Sequence, residues 1–457
     1  MKLLLTHCYF ISEDAREQQV MRPYVPLGLL YISAWLEKHH AEHEVFDTTF
    51  SSFEKLTSFI DNMQPDVIGI YVNLMTKLNV LKLITYIRKE KDLQHIKIIL
   101  GGPEVRNNAQ QFLNHGADYL VLGEGEESFY ELFRFLEEYP TQIPDQIKGI
   151  CFLRNGEMVS APPREKIKDI DVLPAPNRKK VDLQLYLEAW KNKHGKNAIS
   201  VSTMRGCPYT CKWCSRAVYG LSYRRRSAAL VADELLSIRD QYHPDTIWFV
   251  DDVFTVSHKW MKEFAAAVKE KNIHLPYECI TRADRLNEEV IKLLKESGCF
   301  RVWIGAESGS QKIIDAMDRR VDVEQVREMI QLTKRYGIET GTFIMLGYPG
   351  ETEADIEETI YHLKASNPDH FTITIAYPIK GTELYTEVES DFTEPLPWDH
   401  STDRDIDFKR TYSRKYYDFA VRRVVSEVNN FKHPSLKLKI KSLVAKFGMW
   451  YYRRLEV

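Results

Sequence analysis

Apolar residues along the first 145 positions alternate between two periods. Short aliphatic or β-branched runs fall at 2–6, 44–46, 66–72, 96–100 and 118–122. Between them, 26–38, 53–62, 77–89, 107–114 and 126–137 carry apolar residues at helical spacing, as with Leu29, Leu30, Ile32 and Leu36 in the first. Strands alternating with helices predict a parallel sheet with helices on both faces. Glycines close two of the strands, Gly101-Gly102 and Gly123. Ligands of such sheets bind at the carboxyl ends of the strands.

The next stretch, 146–195, reads as a linker. A hairpin over 149–160 is predicted to turn at Asn155-Gly156. Pro162, Pro163, Pro174 and Pro176 then discourage regular structure. A second alternating run follows. Its predicted strands are 198–204, 246–250, 277–281, 301–305, 340–346 and 370–376, with helices between them. Six such repeats predict a (β/α)6 partial TIM barrel. The last seventy or so residues show helical patterns and no clear strand. The expected fold class is therefore α/β. A Rossmann-like domain spans 1–145, a linker 146–195, a barrel core 196–385 and a helical region 386–457.

Composition narrows the classes of function. A chain of 457 residues suggests two to four domains, at roughly 100–200 residues each. With 44% hydrophobic and 28% charged residues it has ample material for a core, which excludes a disordered polyanion. Lys and Arg number 62 against 65 Asp and Glu, so the net charge is −3. A chain basic throughout is excluded, and no RNA- or DNA-reading motif appears, so no nucleic-acid partner is expected. The charge is unevenly placed. Residues 408–457 hold 13 Lys or Arg and 3 Asp or Glu, a net +10, which leaves −13 for the rest. The basic segment 436–447 and the closing Trp450-Tyr451-Tyr452-Arg453-Arg454 have two readings. One is a peripheral membrane contact or an anionic partner. The other is a helical cap whose basic face covers the acidic body. The opening Met1–His7 is too short an apolar run for a secretory signal, and no run of about 18 apolar residues occurs. The expected location is cytoplasmic, with the inner membrane face as an added site of contact.

The seven cysteines are Cys8, Cys151, Cys207, Cys211, Cys214, Cys279 and Cys299. Three fall within eight residues, as Cys207-Pro208-Tyr209-Thr210-Cys211-Lys212-Trp213-Cys214, directly after the first barrel strand. This CxxxCxxC spacing favours metal or redox chemistry over a disulfide framework. Three thiolates suit an iron–sulfur cube with its fourth iron open. Structural zinc wants a fourth protein ligand, and none lies in the loop. A dithiol pair, Cys211 and Cys214, would leave Cys207 unexplained.

The motif resembles that of the radical S-adenosylmethionine (SAM) superfamily, CxxxCxΦC, in which an aromatic residue precedes the last cysteine. Trp213 stands there, and the resemblance extends over about 196–385. It implies a 4Fe-4S cluster on Cys207, Cys211 and Cys214. The open iron would bind SAM, and one electron would cleave it to methionine and a 5′-deoxyadenosyl radical. Trp213 would lie near the adenine. Asp251 and Asp252, at the second strand's end, occupy the place of the motif that meets the SAM ammonium, without its usual glycines and glutamate. A helix cap or solvated turn is their other reading. Arg282 stands where a group for the SAM carboxylate is often found. Glu307 and Ser308 sit in the fourth-strand motif near the ribose, and Gly347 and Gly350 in the fifth-strand motif near the adenine. Arg216, Arg224, Arg225 and Arg226 would tune the cluster, meet an anionic substrate or form a solvated basic turn. Cys279 and Cys299 read as hydrogen-atom donors or as buried structural thiols.

The amino-terminal segment resembles a cobalamin-binding domain. Its matching pieces are 23–32, with Leu27 and Gly28, then Gly101 and Gly102, then Glu124 and Gly125. Loops like these approach the corrin and its tail. The motif DxHxxG, which supplies a histidine to cobalt, is absent. Together the two halves match the cobalamin-dependent class, which includes methylases and the anaerobic magnesium-protoporphyrin ester cyclase. The resemblance implies an enzyme that methylates an unactivated carbon of a small-molecule or lipid substrate, served by a one-electron donor such as flavodoxin or ferredoxin. Radical cyclisation, oxidation or rearrangement without methyl transfer is the other enzymatic reading. A non-catalytic metal-binding scaffold is the third.

Overall fold

The structure is a computed structural model and describes residues 1–394 and 396–455. Its amino-terminal sheet has seven strands: β1 (Leu3–Thr6), β2 (Glu44–Val45), β3 (Val67–Tyr71), β4 (Lys97–Gly101), β5 (Tyr119–Val121), β6 (Ile150–Arg154) and β7 (Glu157–Ser160). Their order is β2-β1-β3-β4-β5-β6-β7. The first five run parallel. Continuous apolar runs such as Leu3-Leu4-Leu5 are buried on both faces, as a sheet covered by helices on each side requires.

The expected linker is only partly one. The Asn155-Gly156 hairpin forms, but β6 pairs antiparallel with β5, through Leu120↔Cys151 and Val121↔Ile150. Ile150, Cys151 and Phe152 are buried there, so the sheet runs on to Ser160, past the boundary expected at 145. The proline-rich stretch is irregular apart from single 3-10 turns at Ile170–Val172 and Arg178–Lys180. It is followed by an unexpected helix, Leu183–His194. Asp182 caps this helix, and Leu183, Tyr186, Leu187 and Trp190 form its buried face. The helix expected over 107–114 is broken at Asn108 into Pro103–Asn107 and Ala109–His115.

The barrel core contains β8 (Ala198–Val201), a small antiparallel ribbon of β9 (Met204–Arg205) with β10 (Arg224–Arg225), then β11 (Thr246–Phe249), β12 (Tyr277–Thr281), β13 (Cys299–Glu307), β14 (Glu339–Leu346) and β15 (His370–Ile375). The six main strands are parallel in the order β8-β11-β12-β13-β14-β15, an open (β/α)6 barrel. Helices such as Ala228–Tyr242 and Glu353–Ser366 cover its outside. The core between strands and helices is one apolar cluster that includes Val201, Phe249, Phe264 and Ile304.

The carboxyl-terminal region is helical. Arg414–Lys432 packs on Glu353–Ser366, and Leu436–Arg454 packs on Arg414–Lys432. No helix among the described residues is long and apolar enough to cross a membrane.

Candidate active site

The carboxyl ends of both sheets face one junction, and a single loop stands between them. Residues 206–223 leave β9 and return to β10, so the ribbon forms the neck of this loop. Gly206 makes the neck possible. Its φ is +82°, and a Cβ there would lie 2.3 Å from Ser222 Oγ and 2.6 Å from its carbonyl oxygen, which excludes any side chain. The loop carries Cys207, half-buried, Cys211, buried, and Cys214, exposed. It is held to the barrel by Lys212 N–H donating to Met317 O at 3.2 Å and Leu384 N–H donating to Lys212 O at 3.0 Å.

Cys211 is the one of the three whose thiol is shifted down, whereas burial and neighbouring groups push those of Cys207 and Cys214 up. The Cys214 thiol donates to Cys211, and the guanidiniums of Arg319 (Nη1, 3.6 Å) and Arg282 (Nη1, 3.7 Å) face its sulfur. Together these lower its pKa to about 5 and favour the thiolate that binds iron. No three His, Cys, Asp or Glu side chains among the described residues converge as ligands of a single ion would. A cube takes each thiolate on a separate iron, so it does not need that convergence. A thiolate facing two buried cations, with Arg319 Nε left without a partner, fits a polyanionic cluster.

The other expected contacts divide. Trp213 packs beside Ile313, Met317 and Tyr348, with the Arg319 guanidinium 5.8 Å above its ring. Asp252 is exposed and close enough to Cys207 to oppose its ionisation. Glu307 stands at the end of β13 with φ +67°, a rare conformation for a non-glycine residue. Burial pushes its carboxyl up to about 7, against the pull of Arg319, 3.8 Å away. Arg282 is buried, donating to Asp284 at 2.8 Å and to Arg319 O at 2.7 Å, with one Nη left for the cluster loop.

Three expected contacts face elsewhere. Asp251 accepts from Thr203 N (2.7 Å), Met204 N (3.1 Å) and the Thr203 hydroxyl, with Arg225 3.6 Å away. The fully buried carboxylate braces the cluster loop from below, where it cannot meet an ammonium in the cleft. Ser308 is turned inward, accepting from Ser310 N–H and sharing a hydrogen bond with Thr359 at 3.3 Å. The Gly347 amide is engaged by Glu351 at 2.6 Å, and the place of its missing Cβ is taken up by Arg410, 3.3 Å away, and Ile375.

The basic turn is not solvated. Arg224 donates to Glu124 at 2.6 Å, and Arg225 lies 3.5 Å over the Trp260 ring. Arg226 is buried and pairs with Glu234. Arg216 donates to Tyr209 O. Cys299 begins β13 at the end away from the mouth, and Cys279 is fully buried beside it with its thiol pKa pushed well up, so neither is placed as a hydrogen donor. Sequence patterning missed Arg205, Arg319 and Glu351. Glu351 is fully buried, with Oε1 unpartnered and its carboxyl pushed up to about 8 by burial.

On the other side of the loop lies a cavity of about 200 Å³ at the carboxyl ends of β1, β3, β4 and β5. Gly28, Gly101, Gly102, Glu124 and Gly125 line it as expected. Leu27 does not. It packs against the barrel core instead, because adjacent residues of a helix face different ways. Gly102 has φ +110°, and its Cβ would lie 2.4 Å from Val72 O. Gly101 has open space where a Cβ would stand, so the cavity is cradled by a missing side chain. Val218 and Tyr219 of the cluster loop supply the facing wall. The cavity therefore suits an apolar ring system entering between the domains, as the cobalamin tail would. Gly101→Leu should fill this space while leaving stability within about 0.5 kcal/mol of the parent. Cobalamin binding, followed by its visible spectrum, should fall at least about tenfold because the occupied volume is lost.

Arg205, two residues before Cys207, ties the two sites together. It is buried between the rings of Tyr31 and Tyr219, 5.3 Å from each, and pairs with Glu124 at 2.9 Å and with Glu126. Both carboxylates belong to the cavity wall.

Residues 201–363 match the family described as the radical SAM superfamily, and residues 20–133 match the B12 binding domain. An uncharacterised methyltransferase of Pyrococcus horikoshii is 29% identical over 383 residues, covering 82% of this chain and 80% of that protein. The anaerobic magnesium-protoporphyrin IX monomethyl ester cyclase of Cereibacter sphaeroides is 24% identical over 405 residues, covering 85% of this chain and 64% of the cyclase. Among solved structures, the radical SAM methyltransferase TsrM of Kitasatospora setae, with cobalamin and a 4Fe-4S cluster bound, superposes with a TM-score of 0.70 at 20% identity. That match covers 85% of this chain and 78% of TsrM.

Proposed function

From a chain that belongs to the cobalamin-dependent radical SAM enzymes, we propose a methyltransferase that alkylates an unactivated carbon of a small-molecule or lipid substrate. One observation carries this reading: the cluster loop is itself a wall of the cobalamin cavity, through Val218 and Tyr219. Two cofactor sites that share a wall can serve one substrate carbon in turn. When bound, the cluster with SAM supplies the radical that removes a hydrogen atom, and cobalamin supplies the methyl group.

The chain's own residues position these groups. Cys207, Cys211 and Cys214 would each hold one iron. Arg282 and Arg319 offset the negative charge on Cys211 and keep it ionised. Asp252, exposed at the mouth, is the acceptor for the SAM ammonium, a role Asp251 cannot share. Glu307 is a polar contact whose proton is held near neutrality by burial. Trp213 flanks the adenine. Gly28, Gly101, Gly102 and Gly125 let the corrin tail approach the backbone. Radical SAM enzymes need an electron donor, and the exposed Cys214 edge is where a flavodoxin or ferredoxin would dock.

Anaerobic reconstitution with iron, sulfide, cobalamin and SAM tests the reading. The expected result is an iron–sulfur absorbance shoulder that Cys211→Ala abolishes, with 5′-deoxyadenosine released on reduction. In cells carrying the gene, a metabolite should gain 14 mass units, one added CH₂. Stoichiometric zinc in place of iron and sulfide would overturn the proposal. Turnover to 5′-deoxyadenosine with no methylated product would place the enzyme with radical cyclases instead.

A further inference from the structure

The closing helix, Leu436–Arg454, has two apolar faces. Ser442, Ala445, Gly448 and Met449 form the inner one, packed on Arg414–Lys432. Gly448 lies so close that a Cβ would stand 2.4 Å from the Phe419 ring. The opposite face carries Leu436, Ile440, Leu443, Val444, Phe447 and Trp450, with exposures of 74, 52, 67, 59, 64 and 41%. At 3.6 residues per turn these six form one stripe about 120° wide, roughly opposite the packed face. A contiguous exposed apolar patch of this kind marks an interaction surface.

The borders of the stripe are basic. Lys437 and Lys441 lie on one side, and Lys439 and Lys446 on the other. The helix contains no Asp or Glu. None of these four lysines pairs with a carboxylate among the described residues. The reading of this region as a cap over the acidic body thus holds for the inner helix, where Arg423 meets Glu357, and fails for the outer face. A second copy of the chain would bring lysine rows against lysine rows. Anionic headgroups complement them instead, with lysine stems lying along the acyl boundary and Trp450 at headgroup depth.

We propose that the outer face of Leu436–Arg454 docks the enzyme on an anionic lipid bilayer. The helix runs from the foot of the barrel to its mouth. Lys432, just before it, reaches Asp369 O below β15 at 3.3 Å, and Arg453 at its far end pairs with Glu353 at 2.7 Å, beside the Gly347–Glu351 turn. Docked through this helix, the barrel lies on its side with one rim of its mouth at the headgroups. That geometry admits a lipid-borne substrate without passage through bulk water. Docking needs no turnover, so its test stands apart from that of methylation.

The experiment is sedimentation of the full-length chain with phosphatidylcholine vesicles, with and without phosphatidylglycerol. The wild type should bind the anionic vesicles and leave them at high salt. Leu443→Ser with Phe447→Ser, and separately Lys439→Glu with Lys446→Glu, should each weaken binding by about tenfold or more. All four side chains are exposed, so thermal melting and cobalamin binding should match the wild type in both variants. Equal binding by wild type and variants, or none by the wild type, would overturn the proposal. So would a wild-type dimer that the Leu443→Ser/Phe447→Ser variant dissolves.

Discussion

Arg205→Leu should cost the full-length chain about 3–5 kcal/mol in urea denaturation, as expected when one partner of a buried ion cluster is removed. The cause is what remains behind. Among the described residues Glu126 pairs with Arg205 alone, whereas Glu124 keeps Arg224 at 2.6 Å and the Ile167 amide at 3.0 Å. Leucine fills the space between Tyr31 and Tyr219 but leaves the Glu126 carboxylate buried and unpaired. A second substitution therefore separates charge from packing. Glu126→Gln in the Arg205→Leu background should recover more stability than Glu124→Gln in the same background, because only the first neutralises an orphaned charge. Equal recovery by the two would refute this account. Both carboxylates line the cobalamin cavity, so cobalamin retention should fall with Arg205→Leu as well.

Arg319→Met should reduce both cluster content and SAM cleavage by about 10–100-fold, the range seen when a group supporting a metal ligand is lost. Arg319 reaches four groups at once: Cys211 Sγ at 3.6 Å, Gly305 O at 2.9 Å, Glu307 at 3.8 Å and the face of Trp213. Methionine keeps the stem and removes the cation. The Cys211 thiol should then titrate higher in the cluster-free protein, an outcome that alkylation rates against pH report. Arg319→Lys restores charge without the planar fork, so it should recover the thiol shift better than the cleavage rate. A variant with normal thiol reactivity and poor cleavage would show that Arg319 acts on SAM alone.

Where one residue pattern has one physical meaning, the fold was legible from the chain. The strands over 66–72 and 277–281 are short apolar runs between helical periods, and they emerge as β3 and β12 in parallel sheets. The Asn155-Gly156 turn was equally clear, but its pairing was not. A hairpin signal does not say which older strand its inner edge joins, so the sheet was expected to stop short of β6. Proline clusters concealed the Leu183–His194 helix, which begins only after them.

At the site, the cysteine spacing was legible because ligand spacing is local. Side-chain direction was not. Asp251 and Asp252 are adjacent acids at a strand end, and the period of two sends one under the loop and the other into the cleft. Arg224, Arg225 and Arg226 read as a solvated turn because their partners, Glu124, Asp251 and Glu234, lie 100, 26 and 8 residues away. Arg319 stands in a turn that follows the short helix Gln311–Ala316, more than a hundred residues from Cys211, with no motif around it. Only the folded barrel brings them together.

The neck at β9 and β10 bears on how the protein is made. Its ends are about twenty residues apart, so the loop between them closes at little entropic cost and can form early. The acidic receptor for Arg205 is encoded some eighty residues upstream, in the domain that leaves the ribosome first. A nascent cluster loop would thus meet a finished wall, and iron would enter a pocket whose back is already built.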